Sequence, residues 1–453
     1  MMMENNIIQW KNVLFVPIIH NRMEFALEVR RHFENFRPDQ VALEYPFTLK
    51  EKILQGIKRL PLLSVVHYEE NDGMFVYLLL EPTDGQVEAI RLALANDIPI
   101  DFIDRDTEGY LFDRSPMPDP YALTKINHFM YCQAYLRIHR DDHHSLDDRL
   151  REKTMAFHLQ SLNKKGKKIM FVGGLFHLPG LLDLLGHPQT EVIGRKRRQG
   201  VGLAHLHKES SREIMTEMPF LAARYEDFRS GRGKGTIDRL KVNSELMKIS
   251  KESHWKNSKE ELSRSQLRVL NKFARNYALL SSGLAPSFYQ LIVAARGAAD
   301  DNFAYEVWDR GSDYPWQSEN TDLPVLRLSG EDLFIDQKKI RFHRRLKTFR
   351  RRLVPIPVKK KKRERISGEW KKDFQGFHIC SYPPEDVVIE GYGRYLQKKA
   401  LEIKSEENSR VVPFISSMFD GLDIRQTIKE WPRGPIYVKE NRPLRGKVGS
   451  VVV

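Results

Sequence analysis

The chain has few of the features that place a sequence in a well-known class. Its two cysteines, Cys132 and Cys380, are far apart and lack a CxxC partner, which argues against a disulfide framework and against a thiolate zinc site. No stretch approaches the roughly 18 uninterrupted apolar residues of a membrane span. The N-terminus also lacks a basic region followed by an apolar one. We therefore expect a soluble, cytoplasmic protein without a transmembrane segment.

Familiar catalytic motifs are absent as well. The chain contains neither the HExxH of zinc proteases nor the GxSxG of a nucleophile elbow. The glycine-rich stretch SGRGKGT at 230–236 lacks the spacing of a phosphate-binding loop, so we predict a flexible basic loop. Cys132 lies in the aromatic stretch FMYCQAYL and is predicted to be a core residue. His143 and His144 lie among aspartates, where we favour a solvated loop over a metal site.

The chain does contain enough apolar sequence for a large core. Its 453 residues are 41% hydrophobic, which suffices for two or three domains. In the first half, short apolar runs alternate with amphipathic helical segments, an order typical of parallel strands joined by right-handed crossovers. We predict an α/β fold in which a central, largely parallel or mixed sheet is flanked by helices. Strands are expected at 13–20, 40–45, 98–104 and 168–174, and the pieces VVHYEE and MFVYLLLEP lie between the second and third of them.

Shifts in composition divide the chain into four parts. Residues 1–195 are predicted to form the α/β core. Residues 196–335 are predicted to be a polar connector and a helical extension, with a helical hairpin over 266–300. A basic segment at 336–372 precedes a small α+β C-terminal module at 373–453, in which short apolar pieces between Pro and Gly indicate strands.

Three of the apolar runs lead to a side chain that can do chemistry. VLFVPIIH ends at His20, QVALEY carries Glu44, and KIMFVGGLFH ends at His177. Because ligands of parallel α/β sheets collect beyond the carboxyl ends of the strands, we expect these side chains to line one crevice. A fourth run, IPIDFIDRD, brings Asp104 to the border of the same crevice.

Two imidazoles and a carboxylate are compatible with two kinds of chemistry. His20, Glu44 and His177 could hold a divalent ion such as Mn, Co or Zn and leave a position for water. Without a metal, His20 or His177 could act as a general base toward water, with Glu44 orienting the imidazole. The structural alternative is that each histidine is simply a hydrogen-bonded, partly buried side chain at a strand end.

Four motifs, taken in order along the chain, resemble those of the TraB, PrgY, TIKI, EreA and ChaN-like superfamily. Members typically show a GxxH after the first strand, a PDxVxxE at the second, an Arg-acid pair before Met-Ala on a helix, and a second GxxH. The resemblance covers about residues 10–195, and the segment LAPSFYQLIVAARGAADDNFAYEVW extends it to about 310 in uncharacterised bacterial relatives. Pro17 departs from the pattern, because it stands where the first glycine is expected. The motifs correspond to His20, to Pro38, Asp39, Val41 and Glu44, to Arg151 and Glu152 before Met155 and Ala156, and to Gly174 with His177.

The resemblance implies a site that acts on a small-molecule or peptide substrate. Related folds are described as metal-dependent proteases, as esterases, and as haem-binding or pheromone-restraining proteins, so the fold alone does not settle the activity. Arg151 would hold an anionic group or the charge of a transition state. Our leading hypothesis is a hydrolase of an amide or ester bond, either metal-assisted or dependent on histidine. The expected catalytic residues are His20, Glu44, Arg151, Glu152 and His177, and the expected ligand contacts are Asp104, Gly173 and Gly174.

The positive charge of the chain is confined to one segment. Residues 338–371 contain sixteen Lys or Arg and two Glu, a surplus equal to the net charge of +14 of the whole chain. Apolar residues recur there at helical spacing, which predicts a basic helix with an apolar stripe. Such a helix could pack on the protein body, contact nucleic-acid phosphates, or meet an acidic protein or a membrane surface. The candidate docking residues are Arg344, Arg345, Arg350, Arg351, Lys359, Lys360, Lys361 and Lys362.

A second hypothesis follows from this confined basic segment. The chain could be a binding or regulatory protein whose pocket senses a ligand. Its basic segment would then dock it onto nucleic acid or an acidic partner.

Overall fold

The computed structural model describes most of the first three quarters of the chain. The chain divides into two compact units, 1–349 and 350–453. In the second unit the structure describes residue 366 and one pair of antiparallel strands. The described residues are 7–69, 75–107, 117–139, 145–193, 198, 200–233, 235–318, 321–327, 334–335, 338–339, 366, 409–413 and 437–441.

The strands of the first unit form two larger sheets and one short pair. They are β1 (Ile8–Trp10), β2 (Val13–Ile18), β3 (Gln40–Pro46), β4 (Ser64–Glu69), β5 (Phe75–Leu79), β6 (Ile100–Asp104), β7 (Ile169–Gly174), β8 (Gly202–Leu206), β9 (Val325–Leu326), β10 (Phe334–Ile335) and β11 (Lys338–Lys339). In the second unit, β12 (Ser409–Pro413) pairs with β13 (Tyr437–Asn441).

The α-helices that the structure describes all belong to the first unit. They are α1 (Met23–Phe36), α2 (Lys50–Ile57), α3 (Gly85–Ala95), α4 (His128–Ile138), α5 (Leu146–Asn163), α6 (Leu178–Leu184), α7 (Ser211–Ile214), α8 (Pro219–Arg229), α9 (Arg239–Ser258), α10 (Arg264–Leu280), α11 (Phe288–Ala298) and α12 (Asp301–Gly311). None of them combines the length and the apolar character that crossing a bilayer requires.

The central sheet confirms the predicted α/β fold. Its strand order is β1-β2-β7-β3-β6, in which β1 is antiparallel to β2 and the other pairs are parallel. All six residues of β2 and all seven of β3 are buried. Parallel strands covered by helices on both faces need such continuous apolar runs, because neither face meets water.

Helix α1 shows how the apolar pattern positions an element against this sheet. It buries Phe25, Val29 and Phe33, which recur every four residues and form one apolar stripe. The helix ends where Arg37 adopts the left-handed conformation, and the next strand starts three residues later at Gln40. The β2-α1-β3 unit therefore places the ends of both strands on the same edge of the sheet.

A second sheet of four strands was not expected from the sequence. Its order is β5-β4-β8-β9, with β4 antiparallel to both neighbours and β8 parallel to β9. Residues 202–206 thus form a strand inside the stretch that was predicted to be a polar connector. Four of the five residues of β8 are buried, but the polar residues around it hide this short apolar run in the sequence. One compact unit covers 1–349 and is not divided further. The predicted domain boundary at 195 therefore stays a prediction.

The helical extension has its own apolar core. The helical hairpin predicted over 266–300 corresponds to α10 and α11, and α12 packs against α11 and α9. Buried side chains of α8 to α12 form one cluster, to which Met23 and Ala26 of α1 also belong. The extension is therefore joined to the α/β core through α1.

Several sequence-based predictions fall outside the described residues. They include the helix predicted in the basic segment, its candidate docking residues, the His143-His144 pair, and most of the C-terminal module. Two of the apolar pieces predicted to be strands in that module, RVVPFIS and GPIYVKE, overlap β12 and β13.

Candidate functional site

The carboxyl ends of the parallel strands bring the predicted site residues together. Glu44 lies in β3, and Asp104 is the last residue of β6. His20 follows β2 by two residues. Gly174 ends β7 and leads into a 3-10 turn over Leu175–His177. Since β2, β7, β3 and β6 are adjacent in the sheet, their ends form one continuous edge.

Glu44 is the centre of this edge. Its Oε1 accepts a hydrogen bond from Arg151 Nη2 at 2.7 Å and lies 3.3 Å from His177 Nε2. Its Oε2 accepts a short hydrogen bond from the backbone N–H of Gly174. Burial raises the pKa of Glu44, but the positive charges of His177, Arg151 and His20 and the Gly174 N–H lower it more, so the net shift is downward. The carboxylate is therefore held ionised and fixed in place.

The two glycines of β7 lie close to Glu44. A Cβ on Gly173 would lie 2.9 Å from Glu44 Oε2. A Cβ on Gly174 would lie 3.2 Å from the same oxygen and 3.3 Å from His20 Nε2. The absence of side chains lets the end of β7 run directly beside the carboxylate. Glu44 and His20 are accordingly both near the Gly174 backbone.

Arg151 joins the strand ends to helix α5. Its Nε and Nη2 lie 3.1 Å and 2.7 Å from Asp104 Oδ2, while Nη2 also reaches Glu44. A third carboxylate, Asp148, lies 3.7 Å from Nη1. Burial lowers the pKa of Arg151, but the charges of Asp104 and Glu44 raise it more. The guanidinium is thus committed to carboxylates of the protein and is poorly suited to hold an anionic substrate.

His177 lies behind Glu44 and is buried, with 3% of its surface exposed. Its Nδ1 lies 2.9 Å from Glu152 Oε1, and its Nε2 faces Glu44. The ring therefore has one nitrogen beside each of the two carboxylates. Gly180 of α6 leaves room for this arrangement, since a Cβ there would overlap the Glu152 carboxylate. His177 and Glu152 therefore position Glu44 from within the protein.

His20 is different, because its side chain is 46% exposed. Its Nδ1 lies 3.3 Å from Asp84 Oδ2, and no described residue forms a hydrogen bond with its Nε2. Loss of hydration within the protein lowers the pKa of His20, but the hydrogen bond and charge of Asp84 and the charge of Glu44 raise it more. The partial exposure weakens the lowering effect, so a raised pKa is the direction that the geometry supports.

Asp84 is the site residue whose role the sequence did not predict. It caps α3 by accepting hydrogen bonds from the backbone N–H groups of Gln86 and Val87. Its other oxygen accepts the N–H of Asn21 and faces His20. Burial raises the pKa of Asp84, whereas the His20 contact and these N–H groups lower it more. Asp84 follows β5 of the second sheet, so only the tertiary structure shows that its carboxylate contacts His20.

A cavity of about 200 Å³ opens beside these residues. His20 and Glu44 line it, together with Asn21, Tyr45 and Gln86, whereas His177 and Glu152 do not. Its wall carries more acidic than basic groups, which favours a neutral or cationic ligand over an anionic one. The charged residues of the wall are Glu44, Asp84, Asp104, Asp147, Asp148, Arg105, Arg151 and Arg198.

The three residues predicted to hold a metal do not fit a divalent ion. Both oxygens of Glu44 are already occupied by hydrogen bonds, and the Arg151 cation stands 2.7 Å from one of them. Among the residues that the structure describes, the one set of three candidate ligands with ligand atoms within 4.8 Å of one another lies elsewhere, at His254, Glu260 and Asp300. We assign no metal to the strand ends.

Cys132 is a core residue, as predicted. It is fully buried in α4, and burial raises the pKa of its thiol, so the reactive thiolate is disfavoured.

Comparison of the chain with protein-family models, with curated proteins and with solved structures finds no match. The functional argument therefore depends on the geometry of the strand ends.

Proposed function

We propose that the chain is a hydrolase of amide or ester bonds in which His20 acts as the general base toward water. The observation that carries this proposal is the contact of His20 Nδ1 with Asp84, which leaves Nε2 without a partner among the described residues at a solvent-accessible cavity. An imidazole fixed by a carboxylate on one nitrogen and open on the other is the arrangement used for proton abstraction.

The reaction steps assign one role to each ring nitrogen. Nε2 of neutral His20 takes a proton from a water molecule in the cavity while the water oxygen bonds to the carbonyl carbon. The imidazolium that forms is stabilised by Asp84. As the tetrahedral intermediate collapses, the bond to the leaving oxygen or nitrogen breaks, and His20 returns the proton to that atom. Asp84 keeps the ring in one tautomer because its carboxylate accepts a hydrogen bond from the Nδ1–H group.

Glu44, Arg151, Glu152 and His177 act as positioning residues in this mechanism. They form a chain of buried charge-assisted contacts that fixes the end of β7 beside His20. Such a preorganised frame keeps the base and the bound water within reaction distance. Of these four residues, Glu44 and Arg151 also line the cavity and can contact the substrate directly.

The acidic wall of the cavity and its volume indicate the class of substrate. A small neutral or cationic acyl group fits the cavity better than a phosphate or a carboxylate. The ordered resemblance of the strand-end motifs to the TraB, PrgY, TIKI, EreA and ChaN-like superfamily supports an ester or peptide bond as the target. We include membership of that superfamily in the proposal.

The proposal is tested with p-nitrophenyl esters and p-nitroanilides that carry neutral or cationic acyl groups. We expect His20→Ala to lower kcat/KM by about 10²–10⁴-fold, the usual contribution of general-base catalysis. His187→Ala removes an exposed histidine far along the chain and should leave the rate unchanged. Equal rates in His20→Ala and the unaltered protein, or no turnover across the panel, would contradict the proposal.

A further inference from the structure

A second cluster of chemically competent side chains lies in the helical extension, away from the strand ends. His254 is in the last two turns of α9, Glu260 follows the end of that helix, and Asp300 is the N-cap of α12. Helices α9 and α12 pack against each other, which brings the three residues together. One ligand atom from each lies within 4.8 Å of the others.

The state of the His254 imidazole distinguishes this cluster from ordinary surface carboxylates. The residue is 2% exposed, and its Nδ1 is buried without a hydrogen-bond partner. Its Nε2 lies 3.4 Å from the Ser258 hydroxyl. Buried polar atoms nearly always have a partner, so the unpartnered Nδ1 of a histidine whose ring belongs to a cluster with two carboxylates indicates a missing ligand.

We propose that His254, Glu260 and Asp300 bind a divalent transition-metal ion, with Nδ1 of His254 as the nitrogen ligand. Ser258 then fixes the ring through Nε2, as partners of metal-bound histidines commonly do. Ligand atoms around a tetrahedral ion are roughly 3.4 Å apart when each bond is about 2.1 Å. The three ligand atoms lie within 4.8 Å of one another, so binding of the ion would draw them closer together. Asp300 uses Oδ1 to cap α12, and its second oxygen can bind the ion.

The donor set indicates which ion is suited to the site. One imidazole and two carboxylates carry the charge that neutralises a divalent cation, and the nitrogen favours Zn²⁺ over Mg²⁺ or Ca²⁺. Three protein ligands leave a further position for water. The bound ion would join the end of α9 to the start of α12 and stabilise the helical extension, because only the folded chain brings the ligands together.

The test measures Zn²⁺ binding to the full chain by competition with a chromophoric chelator and by elemental analysis after dialysis. We expect one ion per chain, and at least about tenfold weaker binding in Glu260→Gln and in Asp300→Asn. Both variants keep the fold, because Glu260 is exposed and asparagine caps a helix as well as aspartate does. Zn²⁺ should also raise the melting temperature of the unaltered protein and not of the two variants.

Two control variants separate this site from other sources of metal binding. Glu261→Gln changes the neighbouring exposed carboxylate and should bind Zn²⁺ like the unaltered protein. His20→Ala should also retain binding, since the proposed hydrolytic site uses no metal. Substoichiometric binding by the unaltered protein, or equal affinity in Glu260→Gln and Glu261→Gln, would overturn the proposal. Loss of binding in His20→Ala alone would place the ion at the strand ends and overturn it as well.

Discussion

Replacement of Arg151 by methionine tests whether charge pairing holds the strand ends together. The guanidinium is the cation between two buried carboxylates, with Nη2 at 2.7 Å from Glu44 Oε1 and at 2.7 Å from Asp104 Oδ2. Methionine keeps much of the packing volume of the side chain but leaves both carboxylates without this cation. The variant therefore isolates the electrostatic contribution from the packing contribution.

The expected cost follows from the burial of the partners. Removing one member of a buried ion pair costs about 3–5 kcal/mol, because an uncompensated charge stays buried. Arg151 itself is 21% exposed, so water can partly replace it and the lower end, about 3 kcal/mol, is the better estimate. That value corresponds to a roughly 150-fold increase in the equilibrium constant for local opening of β3 and β6.

The local free energy is best measured by hydrogen exchange of peptides that cover 40–46 and 100–104. Local exchange is preferable to a global melting curve, since the chain contains two compact units and need not unfold in one step. Arg149→Met is the matched control, because Arg149 is an exposed residue on the same helix. Equal exchange in the two variants would refute the inference that this cation stabilises the site.

The pH dependence of the same measurement gives an independent check. The folded-state pKa of Glu44 lies below its ordinary value of 4.5. The stabilisation from its ionised form is therefore fully present above about 4.5 and is lost as the pH falls through the lowered folded value. The difference between Arg151→Met and the unaltered protein should narrow below that pH, and a constant difference down to pH 3 would contradict this account.

Three further predictions concern the base His20, the glycine Gly180 of α6 and the basic segment. Asp84→Asn should lower the pKa of His20, because the hydrogen bond and charge that raise it are weakened; the pH dependence of diethyl pyrocarbonate modification at His20 measures the shift. Gly180→Ala should destabilise the protein by about 1–3 kcal/mol in thermal unfolding, since the added methyl overlaps the buried carboxylate of Glu152. Replacing Lys359–Lys362 by serine should weaken binding to a labelled duplex and flatten its log-log salt slope by about 0.9 per lost phosphate contact.

Each of these predictions has a control and an outcome that contradicts it. The control for Asp84→Asn is Asp183→Asn, which changes an exposed carboxylate and should leave the pH dependence of His20 modification unchanged. If Asp84→Asn also leaves it unchanged, Asp84 does not act on His20. Gly297 has open space around its Cβ position, so Gly297→Ala should not destabilise α11, and equal melting temperatures in the two alanine variants would contradict the packing argument. No binding of duplex or single strand at low salt, or equal weakening when Lys164 and Lys165 are replaced instead, would reject the basic segment as a nucleic-acid strip.

The secondary structure around the site could be predicted from local patterns. The runs VLFVPI and IMFVGG have no charged or amide side chain and QVALEY has two polar residues in six, and such mostly apolar runs are typical of strands buried on both faces. The stripe of α1 and the capping aspartate of α3 are also visible in the sequence. These features depend on neighbours along the chain, which is why they can be read without a structure.

The second sheet and the roles of individual site residues could not be predicted in this way. Strand β8 is stabilised by pairing with β4, more than 130 residues earlier in the chain. Helix propensity and strand periodicity carry no information about such distant partners. For the same reason the sequence did not separate the exposed His20 from the buried His177, although both end an apolar run.

The sequence by itself thus determined that strand ends rich in His and Glu would occur at one edge of a parallel sheet, because the βαβ order dictates the direction of the strands. Only the tertiary structure decided which groups pair. It placed Asp84 on His20, Glu152 on His177, and the Arg151 cation on Glu44. Those contacts join residues 25 to 107 positions apart in the chain. Differences of tenths of an ångström in their distances decide whether a carboxylate orients a base, binds an ion or neutralises an arginine.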